Sequence, residues 1–315
     1  MNDPKWGDET PTAPFLAEEQ VRPQSGLRPV ARGRATGLGS RVAGRYELVQ
    51  LLGKGASGAV YEALDTSVGE RVAVKVLHEH LRASGGHVAR FAREVRATAT
   101  IAHPSVVRVL DAGEDAKGSL FLVMELLEGE LLFDRLGRAP RLTTDEVTRL
   151  GIDLLGALAA AHACGIVHRD IKPENLFLTR QQDGTTGLKV LDFGIAKLVE
   201  TQPHGSFRTA EGLLLGTPAY MSPELCRGQA VTVAADLWAA GVVLYEALAG
   251  APPFDDAHVG RLLSKIVGTR APSLGQKRPD LPGALVRVVD RALDPDPSLR
   301  WPSAEAMAEA LRDAG

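Results

Sequence analysis

The chain has 315 residues, which at roughly 150 residues per domain is enough for two domains or a single large domain in two halves. Apolar residues make up 44%, so a sizeable core is available, while 36 Lys+Arg against 39 Asp+Glu leave a net charge of -3. That balance excludes a dedicated nucleic-acid binder with a basic excess, and two cysteines, Cys164 and Cys226, exclude a disulfide framework or a four-cysteine zinc site. A membrane span needs about 20 consecutive apolar residues. The two best stretches, 150–167 and 231–250, are interrupted by Asp153 and His162 and by Asp236 and Glu246. The N-terminus lacks the basic start and apolar run of a secretory signal. The expectation is a cytoplasmic protein with no membrane and no nucleic-acid partner.

Residues 1–45 hold five prolines, six glycines and few large apolar side chains. They cannot bury enough apolar surface to offset their ordering entropy and read as a flexible Pro/Gly/Arg-rich leader. Order is expected to begin at Tyr46. The segments 46–52, 59–65 and 71–77 alternate apolar and polar residues and predict three strands. A helix is predicted over 87–102, with Phe91 and Val95 one turn apart and Pro104 beyond its end. Two more strands are predicted at 106–110 and 120–125. After Gly129 the pattern turns helical, with helices expected at 143–164, 231–250, 283–293 and 303–311. A strand-rich lobe therefore precedes a larger helical one.

Between the first two strands lies Gly53-Lys54-Gly55-Ala56-Ser57-Gly58, followed by Ala59 and Val60. Glycines let a backbone approach phosphates and offer N–H donors. On its own the motif reads better as a plain glycine-rich hairpin, and its strand-to-strand context departs from the strand-to-helix context of dinucleotide folds. Lys75 sits in Val72-Ala73-Val74-Lys75, and Glu94 in the following helix is its candidate partner. The run His168-Arg169-Asp170-Ile171-Lys172-Pro173-Glu174-Asn175 follows an apolar stretch, and Asp192-Phe193-Gly194 comes 17 residues after Asn175. Gly216-Thr217-Pro218-Ala219-Tyr220 and Ser222-Pro223-Glu224 follow, then Asp236 within an apolar helix and Arg300 near the C-terminus.

In this order and spacing the motifs resemble the protein kinase superfamily, and the phrases RFAREVRATATIAHPSVVRVLDAG and GTPAYMSPE are similar to the eukaryotic-like Ser/Thr kinases of bacteria. The resemblance implies an α+β, bilobal protein-kinase-like fold: a small antiparallel β-sheet lobe with one helix, and a larger mainly helical lobe. It covers 46–312, with the N-lobe at 46–123, a hinge at 124–130 and the C-lobe at 131–312. It implies an ATP-dependent Ser/Thr kinase that autophosphorylates its activation loop, uses Mg²⁺ with Mn²⁺ as a substitute, acts on protein substrates in bacterial signalling, and forms a transient homodimer for trans-autophosphorylation.

The resemblance also assigns roles. Lys75, paired with Glu94, holds the α/β-phosphates; Asp170 accepts the substrate proton; Lys172 steadies the γ-phosphate; Asn175 and Asp192 hold the metal. The glycine loop from Gly53 to Gly58 covers the phosphates. Val60, Ala73 and Phe177 enclose adenine, Met124 is the gatekeeper, and Glu125 and Leu127 bond the adenine edge. His168, Phe193, Asp236, Glu224 and Arg300 are structural, the last two as a buried ion pair. Lys172 and Thr217 favour Ser/Thr over Tyr specificity. Arg169 is implied to receive a phosphate on Thr209, with Glu211 supplying part of that charge. Leu131 and Thr98 depart from the family pattern, near the ribose and in the helix after Glu94, and the hairpin over 180–187 is longer than usual. A pseudokinase scaffold and a small-molecule kinase of similar fold are the weighed alternatives. The first conflicts with the presence of Lys75, Asp170 and Asp192 together, the second with the segment from Gly216 to Glu224.

Overall fold

Strand alternation builds the smaller lobe. The computed structural model describes residues 38–55, 57–78, 91, 95, 98–116, 118–180, 184–193 and 218–315. Six strands, β1 (Arg41–Val42), β2 (Tyr46–Gly55), β3 (Gly58–Asp65), β4 (Glu70–Leu77), β5 (Val109–Glu114) and β6 (Leu120–Glu125), form one antiparallel sheet in the order β1-β2-β3-β4-β6-β5. Successive side chains of a strand point to opposite faces. Tyr46, Leu48, Tyr61, Ala63, Val72, Val74 and Val123 accordingly pack on one face. Ala73, Leu77, Leu122 and Met124 pack on the other with the helical residues Phe91 and Val95. Lys75 shares the parity of Ala73 and Leu77, so the sheet aims it at that second, helix-covered face.

The larger lobe is organised around one helix buried on nearly all sides. In chain order come β7 (Gly129–Leu131), α1 (Leu132–Arg138), α2 (Thr144–Ala163), β8 (Leu176–Arg180), β9 (Thr186–Val190), α3 (Pro223–Cys226), α4 (Val233–Ala249), α5 (Val259–Gly268), α6 (Leu274–Lys277), α7 (Gly283–Ala292) and α8 (Ala304–Arg312). Three further short segments, Pro173–Asn175, Pro218–Tyr220 and Pro297–Leu299, are single 3₁₀ turns. Most of α4 is buried, including Leu237, Trp238, Val242, Val243, Leu244 and Tyr245, as its apolar run requires. At α2, Thr143 accepts from the Glu146 amide while Glu146 accepts from the Thr143 amide, a reciprocal cap that fixes where the helix begins. Gly151 lets α2, α4 and α8 close on one another: a Cβ there would lie 2.5 Å from the Leu311 side chain and 3.0 Å from Leu244. A second small sheet, β7-β8-β9, lies in this lobe.

Several boundaries differ from the sequence reading. The leader was expected to extend to residue 45, but Arg41–Val42 pairs with β2, Val42 is buried, and Arg45 binds Asp65 through two hydrogen bonds of 2.8 and 2.6 Å. An isolated valine among arginines carries no periodic signal, yet it fills the end of the sheet. The strand expected at 106–110 begins instead at Val109, because Val106 bridges Val190 in parallel and the 105–107 backbone bonds the larger lobe. A bulge between Val109 and Asp111 then turns Leu110 outward. The β7 strand, α1 and α5 had no counterpart in the sequence reading.

Truncating a buried valine loses both transfer free energy and packing. Val42→Ala is therefore expected to lower stability by about 1–2 kcal/mol in chemical denaturation. An unchanged midpoint would mean that β1 contributes nothing to the sheet.

Candidate active site

Lys75 brings the two lobes together. Its Nζ donates to Asp192 Oδ2 at 2.5 Å, with the lysine side chain nearly buried and the aspartate about one-third exposed. Asp192 lies two residues past the end of β9 and has φ +51, a left-handed conformation rare for non-glycine residues. Such a residue costs roughly 1–3 kcal/mol and persists only where its surroundings hold it. Here Lys75 holds its carboxylate, and Phe193 beside it is buried with its ring 4.6 Å from that of His168.

The loop from His168 to Asn175 is built on Asp236 from α4. Asp236 Oδ2 accepts the His168 amide and His162 Nε2, and Oδ1 accepts the Arg169 amide, all at 2.8 Å. His168 is fully buried. Its Nε2 lies 2.9 Å from the Leu191 carbonyl and its Nδ1 accepts the Asp170 amide at 3.2 Å. A carbonyl can only accept, so the proton sits on Nε2, and burial keeps the imidazole below its ordinary pKa and neutral. Arg169 is the second left-handed residue of the site, with φ +67.

This backbone brings four polar side chains of the loop together. Asn175 Nδ2 donates to the Asp170 carbonyl at 2.7 Å and to Asp170 Oδ2 at 2.9 Å, and Lys172 Nζ lies 3.0 Å from the same Oδ2. Burial alone would lower the Lys172 ammonium, but Asp170 and Glu174 outweigh it and hold it above the usual lysine range. Burial pushes the Glu174 carboxyl up, against the pull of Lys172, and Asp170 and Glu246 add to the rise. Glu246 in turn accepts from Tyr220 Oη at 2.6 Å.

The other sequence-named residues line the seam or sit beside it. Val60 pairs with Lys75, Ala73 with Met124 and Val72 with Glu125 across β3, β4 and β6. Val60, Ala73, Met124, Leu127 and Leu191 share one apolar cluster. Phe177 pairs with Leu131 across β8 and β7, and Leu131 is buried, as is Thr98. Gly53 pairs with Val60, Lys54 with Ala59 and Gly55 with Gly58 in the β2–β3 hairpin, and Ser57 accepts the His78 amide on its carbonyl. Gly58 must be glycine: at φ +157 a Cβ would lie 2.2 Å from the Val76 carbonyl. Glu224 and Arg300 are buried and joined by two hydrogen bonds of 2.7 and 2.8 Å, with the guanidinium over the Trp238 ring. That bidentate pairing holds the Glu224 carboxyl below its ordinary range although burial opposes it. Ala56, Glu94, Thr209, Glu211 and Thr217 lie outside the described residues.

Two arrangements escaped the sequence reading. Lys189 on β9 donates to Glu125 Oε1 at 2.7 Å and to the Val106 carbonyl at 3.3 Å, while the same Glu125 oxygen accepts the Arg108 amide at 2.8 Å. The segment joining the lobes is thereby strapped to the strand that leads into Asp192. The acidic pair Glu174 and Glu246 is the other. Glu246 interrupts the apolar stretch 231–250 and Glu174 lies in the polar run 168–175, and nothing in the sequence places the one within electrostatic reach of the other.

Asn175 and Asp192 are the residues suited to a divalent cation. Both Asn175 N–H contacts go to Asp170, which leaves its amide oxygen as the available donor, and Asp192 keeps a second carboxylate oxygen beside the one on Lys75. Hard oxygen donors few in number fit a Mg²⁺-type ion that completes its shell with water and phosphate oxygens. Among the described residues no group of three or more His, Cys, Asp or Glu is placed to hold a metal, and no helix is long and apolar enough to cross a membrane.

A curled antiparallel sheet set over a helical lobe, with Lys75 and Asp192 meeting at the seam, defines the bilobal α+β protein-kinase fold. The family model of the protein kinase domain matches residues 46–311. The serine/threonine-protein kinase pkn3 of Myxococcus xanthus is 37% identical over 277 residues, which are 87% of this chain and 51% of that protein. The serine/threonine-protein kinase PknA of Mycobacterium tuberculosis is 36% identical over 282 residues, 87% of this chain and 62% of that protein. The crystal structure of the Mycobacterium tuberculosis PknI kinase domain superposes with a TM-score of 0.70 at 30% identity, covering 89% of this chain and 100% of that one. The chain belongs to the protein kinase family. It spans about half the length of pkn3 and less than two-thirds of PknA.

The buried, neutral His168 has a consequence for pH. Its folded pKa lies below the unfolded value of about 6.5, so above that pH both states are neutral and nothing is lost. As pH falls below it, the unfolded chain takes up a proton that the folded chain refuses, and stability drops by up to about 1.4 kcal/mol per pH unit. His168→Phe keeps a ring against Phe193 and removes this group. Its stability is expected to fall less steeply than wild type between pH 7 and 5; equal slopes in urea titrations would contradict the assignment.

Proposed function

We propose that this chain is an ATP-dependent serine/threonine protein kinase acting in bacterial signalling from the cytoplasm. The observation that supports this most directly is the meeting of Lys75 with Asp192 beside the cluster of Asp170, Lys172 and Asn175. Phosphoryl transfer involves little covalent chemistry by the protein and depends on positioning and charge stabilisation. In this reading the cluster of Val60, Ala73, Met124, Leu127 and Phe177 receives adenine, and the glycine hairpin from Gly53 to Gly58 covers the phosphates. Lys75 and Lys172 supply fixed positive charge where the transferring phosphoryl group gains negative charge. Asn175 and Asp192 would hold Mg²⁺, which neutralises phosphate charge when bound. Glu94 is the proposed second partner of Lys75.

Asp170 is the proposed base. Lys172 and the Asn175 amide both contact its Oδ2, which favours the ionised form, and its Oδ1 is the proposed acceptor of the substrate hydroxyl proton. Thr217 is proposed to contribute to the peptide platform. Thr209 is proposed as the site of autophosphorylation, in trans within a transient homodimer. A phosphate there adds charge of about -1.5 to -2 for Arg169 to bind. The Glu174 and Glu246 carboxylates would favour a substrate with an arginine near the acceptor, because burial, with Glu246 adding to it, pushes the Glu174 carboxyl up and a guanidinium beside it relieves that cost.

With ATP and Mg²⁺ the purified chain is expected to label itself and a basic protein on Ser/Thr. Asp170→Asn and Lys75→Met should each lower the rate by at least about 100-fold while leaving the circular dichroism melt near wild type. An Asp170→Asn protein that labels at the wild-type rate would overturn the mechanism. For the acidic pair, Glu246→Gln should raise KM for an arginine-containing peptide about tenfold relative to its arginine-to-alanine counterpart, with KM for ATP unchanged. Equal loss on both peptides would assign Glu246 to the fold through Tyr220 instead.

A further inference from the structure

We propose that the cavity at the N-terminal end of α2 is a binding site for a small, multiply phosphorylated molecule. The cavity has a volume of about 660 Å³, within the range of roughly 300–1,000 Å³ typical of ligand sites. Four cations line it, Arg135, Arg141, Lys277 and Arg278, against two carboxylates, Glu146 and Asp280, and its one large apolar residue is Leu142. Such a lining offers an apolar ligand almost nothing and an anion a great deal.

Each carboxylate pairs with one cation of the lining, Asp280 with Arg278 and Glu146 with Arg135, which leaves Arg141 and Lys277 uncompensated among the described residues. Glu146 closes the cap of α2, accepting the Thr143 amide at 2.8 Å and hydroxyl at 2.9 Å. Asp280 is held by two nitrogens of Arg278 at 2.8 and 2.7 Å. Three of the cations, by contrast, keep donors in reserve. Arg141 commits Nε to the Ala249 carbonyl at 3.2 Å and no other nitrogen among the described residues. Arg135 reaches Glu146 only at 3.4 Å. Lys277, at the end of α6, makes no hydrogen bond or ion pair among the described residues.

A simpler account is that Arg141 and Arg278 serve to cap α4, whose last carbonyls at Leu248 and Ala249 they bind. That account explains two of the four cations. It leaves Arg135, which reaches Glu146 at 3.4 Å, and Lys277, brought from α1 and α6 to the same recess. Arg141, anchored through Nε alone, still presents an N–H fork to phosphate, whereas Arg278 spends all three nitrogens on Asp280 and the Leu248 carbonyl. Charges spread over three segments suit several phosphates on one ligand better than a single ion. The site is remote from the seam: α2 has 20 residues, so its two ends are about 30 Å apart, and the loop beginning at His168 follows the far end.

The test is calorimetric titration of the full chain with inorganic tripolyphosphate in Mg²⁺-free, low-salt buffer. One-to-one binding is expected, undiminished in Lys75→Met, which separates it from binding at the seam. Lys277→Gln, an exposed change that breaks no bond, should weaken binding about fivefold, and the Lys277→Gln/Arg141→Gln pair about fiftyfold. In a second arm, phosphatidylglycerol vesicles test a lipid headgroup as the source of phosphate; the soluble probe is expected to bind and the vesicles are not. The proposal is overturned if no heat is observed, if both cavity variants bind like wild type, if Lys75→Met abolishes binding, or if only the vesicles bind.

Discussion

The carboxylate of Asp236 is the point on which the site hangs. A carboxylate removed from water is costly unless hydrogen bonds replace its hydration. Here the two amides of His168 and Arg169 and the imidazole of His162 do so, each at 2.8 Å. Two consecutive amides can converge on one carboxylate only if the chain bends sharply, and Arg169 takes the left-handed conformation at the bend. The bend delivers Asp170 to Asn175 and Lys172. Because α4 is buried almost all round, Asp236 cannot shift without repacking the lobe. The stiffness of the core is thus passed directly to the loop.

A second anchor works at the other end of the lobe. Arg300 is fully buried yet satisfied by the Glu224 carboxylate and by the carbonyls of Asp294 and Ala234. Removing one partner would strand a buried charge, at about 3–5 kcal/mol. It ties α3, which follows directly on Pro218–Tyr220 and Ser222, to the C-terminal segment. The smaller lobe has no comparable buried pair among the described residues except Lys75 with Asp192, and that pair spans the seam. Its stability rests on two apolar layers either side of the sheet, and the strap from Lys189 to Glu125 connects the lobes from behind.

Contiguous motifs and strand parity made much of this legible from sequence. That Lys75 lies on the face opposite Val72 and Val74 follows from alternation in Val72-Ala73-Val74-Lys75, and the helix beginning near Thr143 from its apolar period. Apart from the Glu224–Arg300 pair, which the family resemblance implied, side-chain convergence over long separations could not be read. His162 and Asp236 are 74 residues apart, and Lys189 and Glu125 are 64 apart. Each looks like an isolated polar residue on an apolar element, a pattern that most often marks a solvated face. Strand β1 escaped for a different reason, since two residues carry no period, and the start of β5 moved because Val106 found a partner in the other lobe.

The amide of Asn175 constrains what charge the loop can carry. Both of its contacts give protons to Asp170, one to the backbone carbonyl and one to the carboxylate. An acid at that position would be the stronger cation ligand in isolation. It would also set two carboxylates against each other at hydrogen-bond distance, where both cannot remain ionised and one would retain a proton. The proton would then sit on one of the two groups most in need of being free of it. A neutral donor at 175 sets no second carboxylate against Asp170 and leaves the negative charge at that point on Asp170.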